Sequence, residues 1–214
     1  MQLKAKNISF GYKSNKILQN VDFFVNSNEV VGMVAPSGYG KTTLAKILSG
    51  YEKNYSGNVS IDNKNINNKG YNPVQLIFQH PEKAVNPRWK MDKILKEAGE
   101  YDKDLFVEMG IKKEWLNRWP SELSGGELQR FCVLRALNKS TKFLIADEIT
   151  TMLDSITQAQ IWRVMLEYCK KHDIGVIVIS HEKHLIDKIC DRVINLENIN
   201  MTETEYLGDL EMNF

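Results

Sequence analysis

The chain has 214 residues, of which 28 are Lys or Arg and 27 are Asp or Glu, so its formal net charge is +1. Hydrophobic residues make up 43% of it, enough to build the packed core of one sizeable domain. A balance this close to zero gives no reason for wholesale electrostatic binding to nucleic acid or to an acidic membrane, and we expect no nucleic-acid partner.

The sequence carries no sign of export or of membrane insertion. No apolar run approaches the roughly 18 residues that a membrane helix needs, and residues 1–10 lack the basic-then-apolar order of a secretion signal. The three cysteines, Cys132, Cys169 and Cys190, are odd in number and lack a C-x-x-C spacing, which argues against a disulfide framework or a zinc site. We therefore expect a soluble chain that stays in the reducing cytoplasm.

In the first third of the chain, the pattern of apolar and polar residues changes at residue 30. Up to that point apolar and polar residues alternate weakly, which predicts half-exposed antiparallel strands. Residues 30–35 are then almost wholly apolar and lead through glycines into a helical stretch over residues 42–49, which ends at Gly50. A buried strand, a glycine turn and a helix in this order predict the start of a β-loop-α unit in a parallel sheet.

The remainder predicts an α/β fold with an insert. Residues 51–72 are rich in Asn, Lys and Gly and predict turns around a short strand at residues 58–62. Residues 82–140 form a Lys- and Glu-rich, Trp-containing insert that we expect to be helical. Two more buried strands, at residues 143–146 and 176–179, flank a helix over residues 158–171, which predicts a crossover in a parallel sheet. We expect a single domain over residues 1–214, ending in a solvated acidic tail from Glu197 onward.

A phosphate-binding loop lies between the first buried strand and its helix. Residues 35–42 match the pattern G-x-x-x-x-G-K-S/T at every defined position except the first, where Ala35 replaces Gly. In such a loop successive backbone N–H groups at a helix N-terminus bind a polyphosphate. Lys41 is expected to reach the β- and γ-phosphates and the Thr42 hydroxyl to bind Mg²⁺. Ala35 is tolerable only if its φ angle stays negative.

Two carboxylates follow the buried strand at residues 143–146. Asp147 is expected to hold Mg²⁺ and Glu148 to polarise the water that attacks the γ-phosphate. A further motif, residues 123–130, places Ser124, Gly125 and Gly126 before a helix predicted over residues 127–138. Small residues at a helix N-terminus leave its amides open to an anion, although the same residues can serve only as a helix cap.

Together these three motifs resemble the ATP-binding-cassette (ABC) ATPases, whose signature is LSGGQ, over about residues 3–197. The resemblance implies a P-loop cassette that binds ATP and Mg²⁺ and hydrolyses ATP. Further residues match the family one by one: Tyr12 as the aromatic that stacks on adenine, Gln79 as the Q-loop glutamine that contacts Mg²⁺ or water, Asp154 as the D-loop aspartate and His181 as the switch histidine. The implied nucleotide contacts also include Ser37, Gly38, Gly40 and Thr43 of the phosphate loop and the residues Ser124, Gly125 and Gly126 of the signature. His181 and His184 form an H-x-x-H pattern, but no further ligands support a metal site there.

The family pattern also implies how the subunit works. Two cassettes pack head to tail, so that ATP bound at Lys41 of one is covered by the signature amides of the other. Three positions depart from the pattern: Ala35, Glu127 in place of the signature glutamine, and Ile149 where Pro or Ala often follows the catalytic Glu. None removes a catalytic group, so we predict an active ATPase.

A narrower resemblance is to the ATPase subunits of oligopeptide, dipeptide and nickel importers. It rests on residues 79–81, 85–88, 119–122 and 150–161. Many larger members carry a C-terminal extension with cysteines, which this sequence lacks, and this favours the compact second ATPase of nickel or metal-chelate systems. The resemblance implies a second ATPase subunit, two permeases and an extracellular binding protein, with this chain peripheral on the cytoplasmic side of the membrane near Gln79 and the insert.

Rival functions remain at this level. An ABC exporter ATPase carries the same motifs, and the sequence leaves the direction of transport open. A DNA-repair or chromosome ATPase needs long coiled-coil arms that an insert of this length lacks, and a translation-associated ABC protein normally has two cassettes in one chain. The transported substrate, a nickel ion, a metal chelate or a peptide, is chosen by other subunits.

Overall fold

The structure, a computed structural model, describes residues 1–12, 15–66 and 70–200. Nine strands are described: β1 Gln2–Tyr12, β2 Asn15–Asn26, β3 Val30–Val34, β4 Ser56–Ile61, β5 Lys64–Asn65, β6 Val74–Ile77, β7 Phe143–Asp147, β8 Gly175–Ile179 and β9 Arg192–Asn195. The α-helices in the same part of the chain are α1 Lys41–Leu48, α2 Met91–Glu97, α3 Lys103–Glu108, α4 Gly125–Ala136, α5 Ser155–Lys171, α6 Lys183–Ile189 and α7 Leu196–Ile199.

The N-terminal strands form an antiparallel sheet in the order β2-β1-β4-β5, as their alternation predicts. Leu3 pairs with Val25 and Ala5 with Phe23, and all four side chains are buried on one face. The short strand predicted at residues 58–62 is present as β4, and the second short strand, β5, lies where only turns were expected. Val59 is the one buried hydrophobic residue of β4, so pairing with β1 fixes this strand more than its own pattern does.

The core sheet is parallel, in the order β6-β7-β8-β3-β9, which confirms the predicted fold class. Successive side chains of β7 point to opposite faces of this sheet. Phe143 and Ile145 pack into a core shared with the antiparallel sheet and α1, whereas Leu144 and Ala146 pack against α4 and α5. Both faces are thus covered, which explains why these strands are unbroken apolar runs.

The insert consists of short helices that pack on the face of α5. Buried residues of α2, α3 and α4 share one core with Ile161 and Trp162 of α5. Helices α4 and α5 begin two and three residues before the predicted positions, because Ser124 and Asp154 cap their first turns. The first residue of each of these helices is set by its capping side chain, which hydrophobic periodicity does not reveal.

The remaining sequence expectations concern membrane spans, the cysteines and the acidic tail. Among the described residues no helix is long and apolar enough to cross a membrane. The three cysteines are free, and burial raises the pKa of Cys132 to about 11 and that of Cys169 to about 12, so these thiols stay protonated. Most of the acidic tail, from residue 201 onward, lies outside the described residues.

Candidate functional site

The predicted phosphate loop joins the end of β3 to α1. Gly38 and Gly40 have φ angles of +87° and +91°, a region that L side chains rarely adopt. A Cβ on Gly40 would also lie 2.8 Å from Leu18 Cδ2, so both the backbone and the neighbouring strand require glycine there. Ser37, Gly38 and Thr42 are exposed and Thr43 is half-buried, so the loop is open to a ligand. Ala35 does not have a positive φ, which removes the objection to its replacing glycine.

Lys41 folds back over this loop and is only 6% exposed. Its Nζ donates to the carbonyl oxygens of Ala35, at 2.6 Å, and Pro36, at 3.1 Å. Burial lowers the pKa of Lys41, while the carboxylates of Glu148 and Asp147 act in the opposite direction. The ammonium group is therefore held at the loop with two carboxylates close by.

Asp147 lies at the end of β7 and is 5% exposed. Burial raises the pKa of its carboxyl group, and the nearby Glu148 adds to this, whereas a hydrogen bond from Thr42 and the charge of Lys41 oppose it. Asp147 and Thr42 therefore bring a carboxylate and a hydroxyl into contact. Oxygen donors of this kind are what Mg²⁺ prefers.

Glu148 is held between two side chains from other strands. Its Oε2 accepts a hydrogen bond from Gln79 Nε2 at 3.0 Å, and its Oε1 lies 2.8 Å from His181 Nε2. Gln79 follows β6, Glu148 follows β7 and His181 follows β8. Since the carboxyl ends of parallel strands meet at one edge of a sheet, the topology brings together three residues that are far apart in sequence.

The backbone of Glu148 is unusual, with a φ angle of +52°. Such a conformation costs a non-glycine residue about 1–2 kcal/mol, and the surrounding structure must hold it. Two contacts do so: the Glu148 N–H donates to the Ile179 carbonyl at 2.9 Å, and the next residue, Ile149, is 3% exposed in the core. Ile149 therefore anchors the turn by packing, which accounts for the departure from Pro or Ala.

The signature and D-loop residues lie in a second cleft, of about 390 Å³. It is lined by Ser124, Gly125, Gly126 and Asp154, together with Met152, Leu153 and Thr157. Ser124 Oγ accepts from the Glu127 N–H at 3.3 Å, and Glu127 Oε2 accepts from the Ser124 N–H at 2.8 Å. Glu127 thus completes a capping box, a role that the usual glutamine also fills.

Two other predicted residues are placed by simple contacts. Asp154 Oδ1 accepts from the N–H groups of Ile156 and Thr157, and these bonds, that of Thr157 first, lower the pKa of its carboxyl group. Tyr12 ends β1 with 62% of its surface exposed, and its ring meets that of Phe10 edge to face at 5.0 Å. A ring with this exposure remains open to stacking.

Sequence reasoning missed a residue that joins Gln79 to Glu148. Thr151 Oγ1 donates to the Glu148 carbonyl at 3.2 Å and accepts from Gln79 Nε2 at 3.4 Å. In the sequence, Thr151 stands out only as part of the resemblance to importer ATPases. Its position three residues after Glu148 is the available signal, because a threonine hydroxyl in a turn often donates to the carbonyl three residues earlier.

The fold and this edge of the sheet together identify the class of protein. A parallel sheet that delivers a glycine-rich loop with a buried lysine and an acidic pair to one edge is the arrangement of a P-loop nucleoside triphosphatase. The profile of the ABC transporter family matches residues 18–151, more than half of the chain. The chain belongs to this family and is one of its ATP-hydrolysing subunits.

Curated relatives indicate which branch of the ABC transporter family this chain resembles. The nickel import ATP-binding protein NikE of Shigella boydii is 30% identical over 217 residues, which cover 92% of this chain and 81% of the relative. The nickel import system ATP-binding protein NikE of Staphylococcus aureus strain RF122 is 32% identical over 210 residues, covering 92% and 87%. The resemblance to importer ATPases is thereby confirmed.

Solved structures confirm the fold. A bacterial ABC transporter cassette solved as a dimer is similar with a TM-score of 0.77 and 24% identity, over 90% of this chain and 93% of that one. The same cassette in a dimeric post-hydrolysis state, bound to ADP and Pi, gives a TM-score of 0.76. At this identity the similarity establishes the architecture.

Proposed function

We propose that this chain hydrolyses Mg²⁺-ATP at the edge formed by Lys41, Asp147 and Glu148, and thereby drives nickel import through a separate permease. The observation that carries the catalytic part is the Glu148 carboxylate, held at 2.8 Å from His181 and 3.0 Å from Gln79. The relatives named for nickel import support the substrate, and a metal chelate or an oligopeptide is the alternative cargo.

The loop residues bind the nucleotide in this proposal. The exposed amides of Ser37 and Gly38, at the open end of α1, bind the phosphates, and Lys41 turns from the Ala35 and Pro36 carbonyls toward the β- and γ-phosphates. Thr42 and Asp147 are the residues that hold Mg²⁺, with Gln79 at the same edge. When bound, the metal neutralises charge on the β- and γ-phosphates. Tyr12 offers its free ring face to adenine.

Glu148 acts as the base. A water molecule attacks the γ-phosphorus, the bond to the β,γ-bridging oxygen breaks, and the Glu148 carboxylate accepts the water proton. In this structure His181 donates to one carboxylate oxygen and Gln79 to the other. When His181 donates instead to the γ-phosphate, Glu148 Oε1 becomes free to accept from water.

The second cleft completes the site in a dimer. We propose that Ser124, Gly125 and Gly126 cover the nucleotide of a second ATPase subunit, alike or different, with Asp154 beside them. The subunit lies on the cytoplasmic face of the membrane. The permease docks near Gln79 and the helical subdomain of residues 82–140, and an extracellular binding protein acts through it.

The catalytic proposal is tested with Glu148→Gln. We expect ATP hydrolysis to fall by at least about 100-fold and the ATP-bound dimer to persist, because binding groups are untouched. The control is Glu167→Gln, the same change at an exposed residue of α5. Hydrolysis at the wild-type rate in Glu148→Gln, with the partner subunit present, contradicts the assignment.

The substrate is tested by uptake. Cells carrying Lys41→Ala, or the exposed control Lys53→Ala, are supplied with labelled nickel and, separately, with a labelled oligopeptide. Loss of nickel uptake alone in Lys41→Ala supports the proposal, and loss of peptide uptake alone replaces nickel by peptide. Unchanged uptake of both overturns the proposed import role.

A further inference from the structure

A chain of side-chain hydrogen bonds connects the turn after Glu148 to the loop that carries His181. It runs from Trp162 through Thr150 and Gln158 to Glu182, and none of these residues has a role in the proposed reaction. Thr150 follows β7 in the turn after Glu148, Gln158 and Trp162 lie on α5, and Glu182 is the residue after His181.

The Trp162 end of this series of hydrogen bonds is fixed in the core. Trp162 is 3% exposed and Thr150 is 3% exposed. Thr150 Oγ1 accepts from Trp162 Nε1 at 3.0 Å and from Gln158 Nε2 at 3.1 Å. The amide of Gln158 is therefore oriented by the buried Thr150 hydroxyl, which Trp162 holds in turn.

The other end reaches the exposed loop that carries His181. Gln158 Nε2 also lies 3.2 Å from Glu182 Oε1 and 3.1 Å from Glu182 Oε2, so it donates to the whole carboxylate. Glu182 and His181 are both exposed, and packing alone does not fix them. A charged acceptor makes this hydrogen bond stronger than one between neutral groups.

We propose that Gln158 is a positioning residue for ATP hydrolysis. By donating hydrogen bonds to both Glu182 and Thr150, it sets the distance between His181 and Glu148. His181 and Glu148 follow two different strands, and a shift of about 1 Å between groups that must act together costs up to about 100-fold in rate. The bridge fixes the turn after Glu148 and the loop of His181 relative to α5. This inference rests on the roles proposed above for Glu148 and His181.

The test exchanges the two partners of the bridge. Gln158→Glu places a carboxylate against that of Glu182, and Glu182→Gln removes the charged acceptor. The double variant Gln158→Glu/Glu182→Gln restores an amide–carboxylate pair in the reverse direction, and the carboxylate introduced at position 158 can then accept from the Thr150 hydroxyl. A role confined to stability predicts no recovery of rate that depends on both changes.

We expect Gln158→Glu to lower kcat about tenfold, with the KM for ATP within twofold of the wild type, because the phosphate loop is untouched. Glu182→Gln lowers kcat less, and the double variant returns to within about threefold of the wild type. Hydrolysis is measured on the full chain with its partner ATPase subunit, beside melting temperatures. Ala159→Glu and Glu167→Gln are controls that make matching charge changes at exposed positions of α5.

Two outcomes overturn the inference. The first is a wild-type kcat in Gln158→Glu. The second is a double variant whose kcat is no higher than the product of the two single effects predicts. Either result shows that the bridge does not position the catalytic groups. Should Gln158→Glu fail to fold, Gln158→Ala gives the same kcat comparison. If Glu148→Gln abolishes hydrolysis while these variants leave it intact, only this inference is wrong. If Glu148→Gln hydrolyses normally, the proposed function is wrong and the inference falls with it.

Discussion

The Nε2 atom of His181 lies 2.8 Å from Oε1 of Glu148, although the two residues follow different strands and 46% of the His181 side chain is exposed. This distance is that of a hydrogen bond. Because a carboxylate only accepts hydrogen bonds, the histidine nitrogen is the donor. Because Gln79 donates to the other oxygen at 3.0 Å, the carboxylate is held at both ends. The strand order β6-β7-β8 brings all three residues to one edge.

The first prediction concerns this histidine. His181→Ala is expected to lower ATP hydrolysis about 100-fold, the cost typical of removing one positioned donor to developing charge, while nucleotide binding at the Lys41 loop persists. A steady-state ATPase assay together with equilibrium ATP binding measures both. His184→Ala, three residues further along the same exposed stretch, is the matched control and keeps the wild-type rate. Equal rates in the two variants would exclude His181 from the reaction.

The second prediction separates the two glycines of the phosphate loop. Both have a positive φ, but a Cβ on Gly38 meets nothing within 4 Å, whereas on Gly40 it lies 2.8 Å from Leu18 and 2.9 Å from Ile17. Gly38→Ala should cost about 1 kcal/mol of folding free energy from the backbone alone, and Gly40→Ala about 2–4 kcal/mol, because overpacking adds to it. Urea unfolding of the two variants gives the comparison. A smaller loss in Gly40→Ala would contradict the packing argument.

The third prediction is that Asp147 destabilises the nucleotide-free protein. Burial raises its pKa above the usual value of 3.8, so the folded state keeps the proton to a higher pH than the unfolded state does. Stability therefore falls as the pH rises from 3.8 through the folded pKa, and the full cost is present at neutral pH. Asp147→Asn should raise the free energy of unfolding at pH 7 by about 1 kcal/mol, with a higher melting temperature, and the gain should shrink toward pH 4.

The same variant should lose Mg²⁺-dependent hydrolysis, since a carboxylate is replaced by an amide at the metal-binding edge. Calorimetry from pH 4 to pH 8 without nucleotide, and ATPase assays with Mg²⁺, test the two halves independently. Asp187→Asn, at an exposed position of α6, is the control for charge alone. A lower melting temperature for Asp147→Asn at neutral pH would contradict the assigned cost of burial.

Strong local patterns predicted most of the fold and many of the site positions. The unbroken apolar runs marked β3, β7 and β8 because both faces of that sheet are covered. Strand β5 was missed, because both of its residues are exposed and only its pairing with β4, such as Lys64 with Ile61, defines it. The hydrogen bonds from Gln79 to Thr151 and from Gln158 to Glu182 could not be predicted, because these partners are distant in sequence and meet only at the edge of the sheet.

The fourth prediction concerns the departure at Glu127. Its carboxylate accepts from the Ser124 N–H at 2.8 Å, which places a negative charge beside the amides proposed to cover a partner's γ-phosphate. Glutamine can accept the same hydrogen bond, so Glu127→Gln should keep the helix cap and the melting temperature. Removing the charge should strengthen ATP-dependent pairing about fivefold at low salt, since like charges about 4 Å apart repel by about 1 kcal/mol in water.

The measurement is the ATP concentration at half-maximal dimerisation, by light scattering, in the Glu148→Gln background that retains ATP. Glu122→Gln is a close control, because Glu122 caps the preceding turn through the Trp119 N–H at 2.8 Å in the same way. Because solvent-exposed charges are screened within about 3 Å at 1 M salt, the advantage of Glu127→Gln over Glu122→Gln should disappear there. An unchanged or higher ATP requirement at low salt would show that Glu127 does not oppose the nucleotide.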